Sequence, residues 1–203
     1  MNKINTVIFD IGNVMVEFCW RDAISNMNLP KDQADRLAKA TILSEMWNEF
    51  DRGILTYEEL VDGFVANDPE IEEVIIRFLE DYYNQIIHPF DYADEWIDSL
   101  KEKGYKVYFL SNFSERGFKE FEKELSFVKK GDGAVISYRE QLIKPDEGIY
   151  KLLLERYNIN PGEAVFIDDT RVNIEVARSL GINGIVFETR EQVLRDLKAL
   201  GVD

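Results

Sequence analysis

Four short segments of this chain carry residue types that together suit phosphoryl chemistry. Asp10 follows the apolar run Val7-Ile8-Phe9, and Ser111-Asn112 follows Phe109-Leu110. Lys144 stands before Pro145, and Asp168-Asp169 follows Val165-Phe166-Ile167. Three carboxylates gathered at one spot repel one another unless a cation is bound. Oxygen ligands with few protein contacts suit Mg2+, which keeps waters and binds together with a substrate phosphate. Such an ion offsets phosphate charge and holds the group for in-line attack. A carboxylate can then act as nucleophile and form an aspartyl-phosphate that water hydrolyses. The Ser111 hydroxyl, nearby backbone N–H groups and Lys144 would hold the equatorial oxygens as negative charge spreads over them.

Each segment also has a plainer reading. Asp10 could do no more than open a turn, with Gly12 supplying unusual backbone angles. Ser111-Asn112 could cap the helix expected from residue 115. Lys144 could be a solvated loop lysine, and Asp168-Asp169 an N-cap with a helix-dipole partner. Ordinary capping needs one acid, however, and here there are two. What sets the four segments apart is their convergence: in a parallel sheet all four reach one edge, where open α/β sheets bind their ligands.

The elements that must position them follow from the apolar pattern. Val7-Ile8-Phe9 reads as a strand buried on both faces, as inside a parallel sheet. Residues 17–87 contain no second strand of that quality and read as helices over 21–27, 31–43, 45–50, 57–65 and 69–83. Leu29-Pro30 and Asn67-Asp68-Pro69 mark breaks, and Thr56-Tyr57-Glu58-Glu59 has the form of a capping box. From residue 89 onward, helices and strands alternate. Helices are expected over 92–103, 115–125, 146–157, 171–180 and 190–200, with Gly104 and Gly181 as stop signals. Strands are expected over 105–110, 133–137, 164–167 and 184–187. Such alternation implies right-handed βαβ units. The expected class is therefore α/β: a Rossmann-like parallel sheet with helices on both faces and an inserted helical cap. The core would comprise residues 1–16 and 88–203, and the cap residues 17–87.

At 203 residues the chain is long enough for one well-cored domain with an inserted lobe. A net charge of −15 argues against a nucleic-acid partner and means that an anionic substrate needs a local cation. The single Cys19 cannot form an intrachain disulfide. No apolar stretch approaches the length needed to span a bilayer, and no signal pattern opens the sequence. A cytoplasmic protein without a membrane partner is the expectation; oligomeric state is open.

These segments resemble, in order, the four signatures of the haloacid dehalogenase-like superfamily of hydrolases. Phe9-Asp10-Ile11-Gly12-Asn13 is similar to motif one and Leu110-Ser111-Asn112 to motif two. Ile143-Lys144-Pro145-Asp146 is similar to motif three, and Phe166-Ile167-Asp168-Asp169 with Asn173 and Ala177 to motif four. The start Asp-x-Gly-Asn and the cap stretch Trp47-Asn48-Glu49-Phe50-Asp51-Arg52-Gly53 look closest to the glucose-1-phosphate phosphatase type. The resemblance implies a Mg2+-dependent phosphatase of a small phosphorylated metabolite, such as a hexose 1-phosphate. It implies Asp10 as nucleophile and metal ligand, the Gly12 carbonyl as a further ligand, and Asp169 as the first choice among motif-four acids. Asp168 would support through water or directly, while Ser111, Asn112 and Lys144 would contact phosphate.

One departure stands out. Most phosphatases of that superfamily place a second Asp two residues after the nucleophile, as general acid and then base; here that position is Gly12. Proton transfer of this kind contributes about 10²–10⁴-fold, and the sequence does not identify a substitute, although the glucose-1-phosphate phosphatase branch shares the glycine. Two other readings therefore stand beside the phosphatase. One is a metal-free haloacid dehalogenase using the same aspartate; the other is a non-catalytic phosphate-binding module. A phosphomutase fits less well, because it too relies on the missing acid. His88 reads as a hinge residue, and Trp20, Met46 and Trp47 as candidates for the cap surface over the pocket.

Overall fold

The computed structural model describes residues 3–202. The strands are, in chain order, β1 (Thr6–Phe9), β2 (Val16–Phe18), β3 (Ile87–Pro89), β4 (Lys106–Ser111), β5 (Gly133–Ile136), β6 (Ala164–Asp168) and β7 (Asn183–Val186). Five of them form one all-parallel sheet in the order β5-β4-β1-β6-β7. Side chains alternate between two apolar clusters, as the two-residue period of a strand requires. Val7, Phe9, Val107, Phe109, Val165 and Ile167 enter one cluster. Ile8, Tyr108, Leu110 and Phe166 enter the other. A sheet buried on both faces needs apolar residues at every position, which is why its strands read as continuous apolar runs.

Between β2 and β3 lie α1 (Trp20–Asn26), α2 (Lys31–Ala40), α3 (Glu45–Arg52), α4 (Tyr57–Asn67) and α5 (Glu72–Arg77). Then come α6 (Ala93–Glu102), α7 (Glu115–Glu120), α8 (Ser137–Glu140), α9 (Glu147–Arg156), α10 (Arg171–Ser179) and α11 (Arg190–Ala199). Trp96 and Ile97 of α6, with Val193 and Leu197 of α11, cover one sheet face. Ile149, Tyr150 and Leu153 of α9, with Ile174 and Ala177 of α10, cover the other. The expected α/β class with helices on both faces is what the chain forms. No helix among the described residues is long and apolar enough to cross a membrane.

Four local expectations need correcting. A short antiparallel ribbon, β2 with β3, joins the helical insertion to the sheet where no strand was expected. At three residues each, these strands are too short to leave a periodic signal. The expected boundaries at 16/17 and 87/88 fall inside this ribbon, with exposed His88 opposite Glu17. Residues 69–83 are not one helix: a 3-10 turn (Pro69–Ile71), α5, a π segment (Phe78–Tyr82) and a second 3-10 turn (Tyr83–Gln85) follow in series. A π turn aligns residues five apart, and here Phe78 and Tyr83 are both buried. The expected helix over 115–125 stops at Glu120. The strand expected through residue 137 ends at Ile136, because Ser137 already begins α8. The Thr56–Glu59 capping box forms as expected: Thr56 Oγ1 accepts from Glu59 N at 3.2 Å and Glu59 Oε2 accepts from Thr56 N at 2.8 Å.

Candidate active site

The register of the sheet sets the site. Phe9 lies level with Phe109 and Ile167. Asp10 and Asp168 therefore leave neighbouring strands at the same height, and Ser111 one residue further along β4. One carboxylate oxygen each of Asp10, Asp168 and Asp169 lies within 4.8 Å of the others. Lys144 stands between two of them: its Nζ is 2.9 Å from Asp10 Oδ1 and 2.7 Å from Asp168 Oδ2. It is a buried lysine, not the solvated loop residue of the plainer reading.

Asn112 explains how a loop lysine reaches so far in. Its Oδ1 accepts from Lys144 N at 2.8 Å, and its Nδ2 donates to Lys144 O at 3.0 Å. The carboxamide thus clamps the Lys144 backbone, leaving one side-chain N–H and its own backbone for a substrate. The Ser111 hydroxyl makes no hydrogen bond to any described residue, and Ser114, not Ser111, caps α7 by accepting from Gly117 N at 3.1 Å.

The two acids of motif four are used differently. Asp168 is fully buried and accepts from Lys144 Nζ, from Thr170 N at 2.7 Å and from Asn173 Nδ2 at 3.1 and 3.0 Å. Asp169 is more open: Asn13 Nδ2 donates to it at 2.9 Å, and Thr170 Oγ1 lies at 3.3 Å. Asn13 holds a left-handed backbone at φ 54 and also accepts from Phe18 N at 3.2 Å, tying the motif-one loop to β2. In Asp10, Oδ1 accepts from Ile11 N at 2.7 Å and faces Lys144. Its second oxygen, Oδ2, carries no hydrogen bond among the described residues.

The electrostatics are those of a site short of positive charge. Burial lifts the Asp10 carboxyl to about 7; Lys144 pulls it down, and the Asp168 and Asp169 charges push it up again. Burial by itself would lower Lys144, but Asp10 and Asp168 more than offset this and hold it above its ordinary value.

Above the acids lies a cavity of about 90 Å³ whose walls include Gly12, Phe18, Trp47, Asp51, Asn112 and Phe113. Ile86, Ile87, Tyr83, Phe121 and Ser114 complete it. Trp47 is thus in the wall as expected. Trp20 is not; its ring carries the Arg21 guanidinium 4.1 Å from the centroid. Met46 packs against Gly63 instead. Asp51, Ser114 and Tyr83 had no place in the sequence-based site, and Asn13 and Asn173 entered only as motif letters. Asp51 entered the sequence reading only as a letter of the cap stretch 47–53, two residues before the αL glycine Gly53 that stops α3.

Comparison with known proteins agrees with this geometry. Residues 4–181 match the family model for haloacid dehalogenase-like hydrolases. A mouse protein, acyl-CoA dehydrogenase family member 10, is 29% identical over 96% of this chain, which spans only 19% of that protein's length. The sesquiterpene phosphatase astK of Aspergillus oryzae is 26% identical over 88% of this chain and 87% of its own. A haloacid dehalogenase family enzyme of Bacteroides thetaiotaomicron, solved in complex with magnesium and inorganic phosphate, superposes with a TM-score of 0.73 at 23% identity, over 95% of this chain and all of its own. The chain belongs to the haloacid dehalogenase-like hydrolase family.

Proposed function

We propose that this chain is a Mg2+-dependent phosphatase of a small phosphorylated metabolite, working through an aspartyl-phosphate on Asp10. The observation that carries the proposal is the group of three clustered carboxylates with one buried lysine standing between two of them. With one positive charge against three negative ones, the donor set fits a hard divalent cation and disfavours a metal-free dehalogenase. Asp10, the Gly12 carbonyl and Asp169 would hold the ion, with Asp168 behind them; Asp169 is preferred because Asp168 already accepts from Lys144, Thr170 and Asn173. When bound, the ion supplies charge neutralisation and alignment of the phosphate. Asp10 Oδ2, free of protein hydrogen bonds, is the attacking oxygen. The Ser111 hydroxyl, the remaining Asn112 N–H and Lys144 would hold the phosphate oxygens, and residues 17–87 would act as a lid. The lone Cys19 supports a cytoplasmic setting.

The substrate's organic part is a finer matter. A hexose 1-phosphate is supported by the motif-one likeness and by the ease with which an anomeric phosphate leaves. A second reading, an apolar or aromatic leaving group, is favoured by the wall: Asp51, Asn112, Ser114 and Tyr83 are its polar side chains, against a ring of aromatic and aliphatic ones. The name of the Aspergillus oryzae relative, a sesquiterpene phosphatase, points the same way. A phosphate-release screen with Mg2+ and with chelator, spanning hexose 1-phosphates, short prenyl phosphates and aryl phosphates, tests both. Release that chelator abolishes is the expected result. Equal release without metal, or none from any ester by folded protein, would sink the phosphatase reading.

A further inference from the structure

An acid that donates a proton to the leaving oxygen must touch the cavity, yet stay out of the carboxylate cluster that faces the phosphate. Among the described wall residues two carry an ionisable proton, Asp51 and Tyr83. The Tyr83 hydroxyl is paired with Ser114 Oγ at 3.1 Å, and burial pushes its pKa far up, which makes it a poor proton donor near neutral pH. Asp51 is different. It sits in the last turn of α3, on the helical insertion, and lines the same cavity as Gly12.

Its placement is held by several contacts that reach the sheet domain. The Ser137 hydroxyl, at the start of α8, donates to Asp51 O at 2.5 Å. That hydroxyl in turn accepts from Phe113 N at 2.8 Å, which ties it to the loop after β4. Gly53 holds φ +74, and a Cβ there would come within 2.9 Å of the Tyr138 backbone, so the end of α3 lies directly on α8. Arg52 reaches Asp146, two residues beyond Lys144, at 3.6 Å. The Ser114 backbone N–H lies beside the Asp51 carboxylate. The end of α3 that carries Asp51 is therefore held against the sheet domain that carries Asp10. Gly12, by contrast, is not a glycine for want of space: a Cβ there would meet nothing within 4 Å.

We infer that Asp51 is the general acid and base of the reaction, supplied from the helical insertion. This rests on the phosphatase reading. As Asp10 Oδ2 bonds to phosphorus and the bond to the leaving oxygen breaks, Asp51 gives that oxygen its proton. In the second half, the Asp51 carboxylate takes a proton from water. The water oxygen then bonds to phosphorus and the phosphorus–Asp10 bond breaks, releasing inorganic phosphate and returning Asp51 to its acid form. The electrostatics fit the task. Burial raises the Asp51 carboxyl to about 7, the Asp10 charge raises it, and Lys144 and the Ser114 N–H pull it down.

The test is the dependence of Asp51→Asn on the leaving group. A p-nitrophenyl ester leaves as a stable anion and needs no proton, whereas a simple alkyl phosphate does. The expected result is an alkyl phosphate rate about a hundredfold to ten-thousandfold lower. The pre-steady-state burst of nitrophenolate should stay within about twofold of the unaltered protein, followed by slow turnover as the phosphoenzyme accumulates. Gly12→Asp combined with Asp51→Asn should recover alkyl phosphate turnover, because Gly12 lines the same cavity and a Cβ there meets nothing within 4 Å. Equal loss on both esters with no recovery would assign Asp51 a structural role, and no loss on either would assign it none; both overturn the inference. Should the unaltered protein hydrolyse neither ester, the phosphatase reading itself falls, and the Asp51 role with it.

Discussion

The two sides of the site are built on opposite principles. The sheet side is a buried ionic network in which Asp10, Lys144 and Asp168 each occupy a fixed place, with Asn112, Asn173 and Thr170 taking up remaining donors and acceptors. The helical wall is mostly aromatic: Trp47 packs on Phe18 and Phe50, and Tyr83 on Phe50 and Phe121, with ring centroids 5.4 to 6.3 Å apart for Trp47–Phe50 and Trp47–Tyr83. Charged networks have narrow geometric tolerance and are costly when incomplete. Aromatic walls are adaptable in shape and nearly silent in charge. On the proposed function this contrast is a division of labour: the sheet edge would take the phosphate, common to any substrate, and the helical wall what the phosphate is attached to.

The division breaks most visibly at Asp10. Asp10→Asn keeps shape and burial but removes the proposed nucleophile, and phosphate release should fall by about a thousandfold or more while circular dichroism stays unchanged. Next comes Lys144→Ala, which leaves Asp10 and Asp168 facing each other without their shared cation. Urea unfolding should report a loss of about 3–5 kcal/mol, the cost of an uncompensated buried charge.

A third effect depends on pH. In the metal-free protein Asp10 and Asp51 are raised from 3.8 to about 7. Between those values these two groups bind more protons in the folded chain than in the unfolded one, so the stability they contribute is present in full below about 4 and is lost as pH rises toward 7. Thermal unfolding without metal should show that decline, Asp10→Asn should flatten part of it, and Mg2+ at pH 8 should raise Tm by mass action. The smallest effect belongs to the contact between the two parts. Gly53→Ala forces a side chain onto the Tyr138 backbone at positive φ, and calorimetry should show a loss of about 1–2 kcal/mol.

The same division governs what the sequence discloses. The sheet side is legible because Asp10, Ser111 and Asp168 stand at the ends of apolar strands, and a parallel sheet brings strand ends to one edge without further information. Lys144 lies eight residues beyond the end of β5, so its segment points to the edge while its burial stays hidden. The helical wall follows no such rule. Asp51 reaches the cavity where α3 ends against α8, a contact between segments far apart in the chain, and Tyr83 follows a π segment that no period in the sequence announces. The β2–β3 ribbon was hidden for a different reason: three-residue strands have no period to detect.

The central claim, that this edge performs phosphoryl transfer through Asp10, is tested most directly by trapping the intermediate. Protein quenched in acid during turnover of a nitrophenyl phosphate with Mg2+, then digested and weighed peptide by peptide, should carry one phosphoryl group on the peptide containing Asp10. Asp51→Asn should carry more of it and Asp10→Asn none. A phosphoryl group on another residue, or turnover with Asp10 never labelled in Asp51→Asn, would contradict the account.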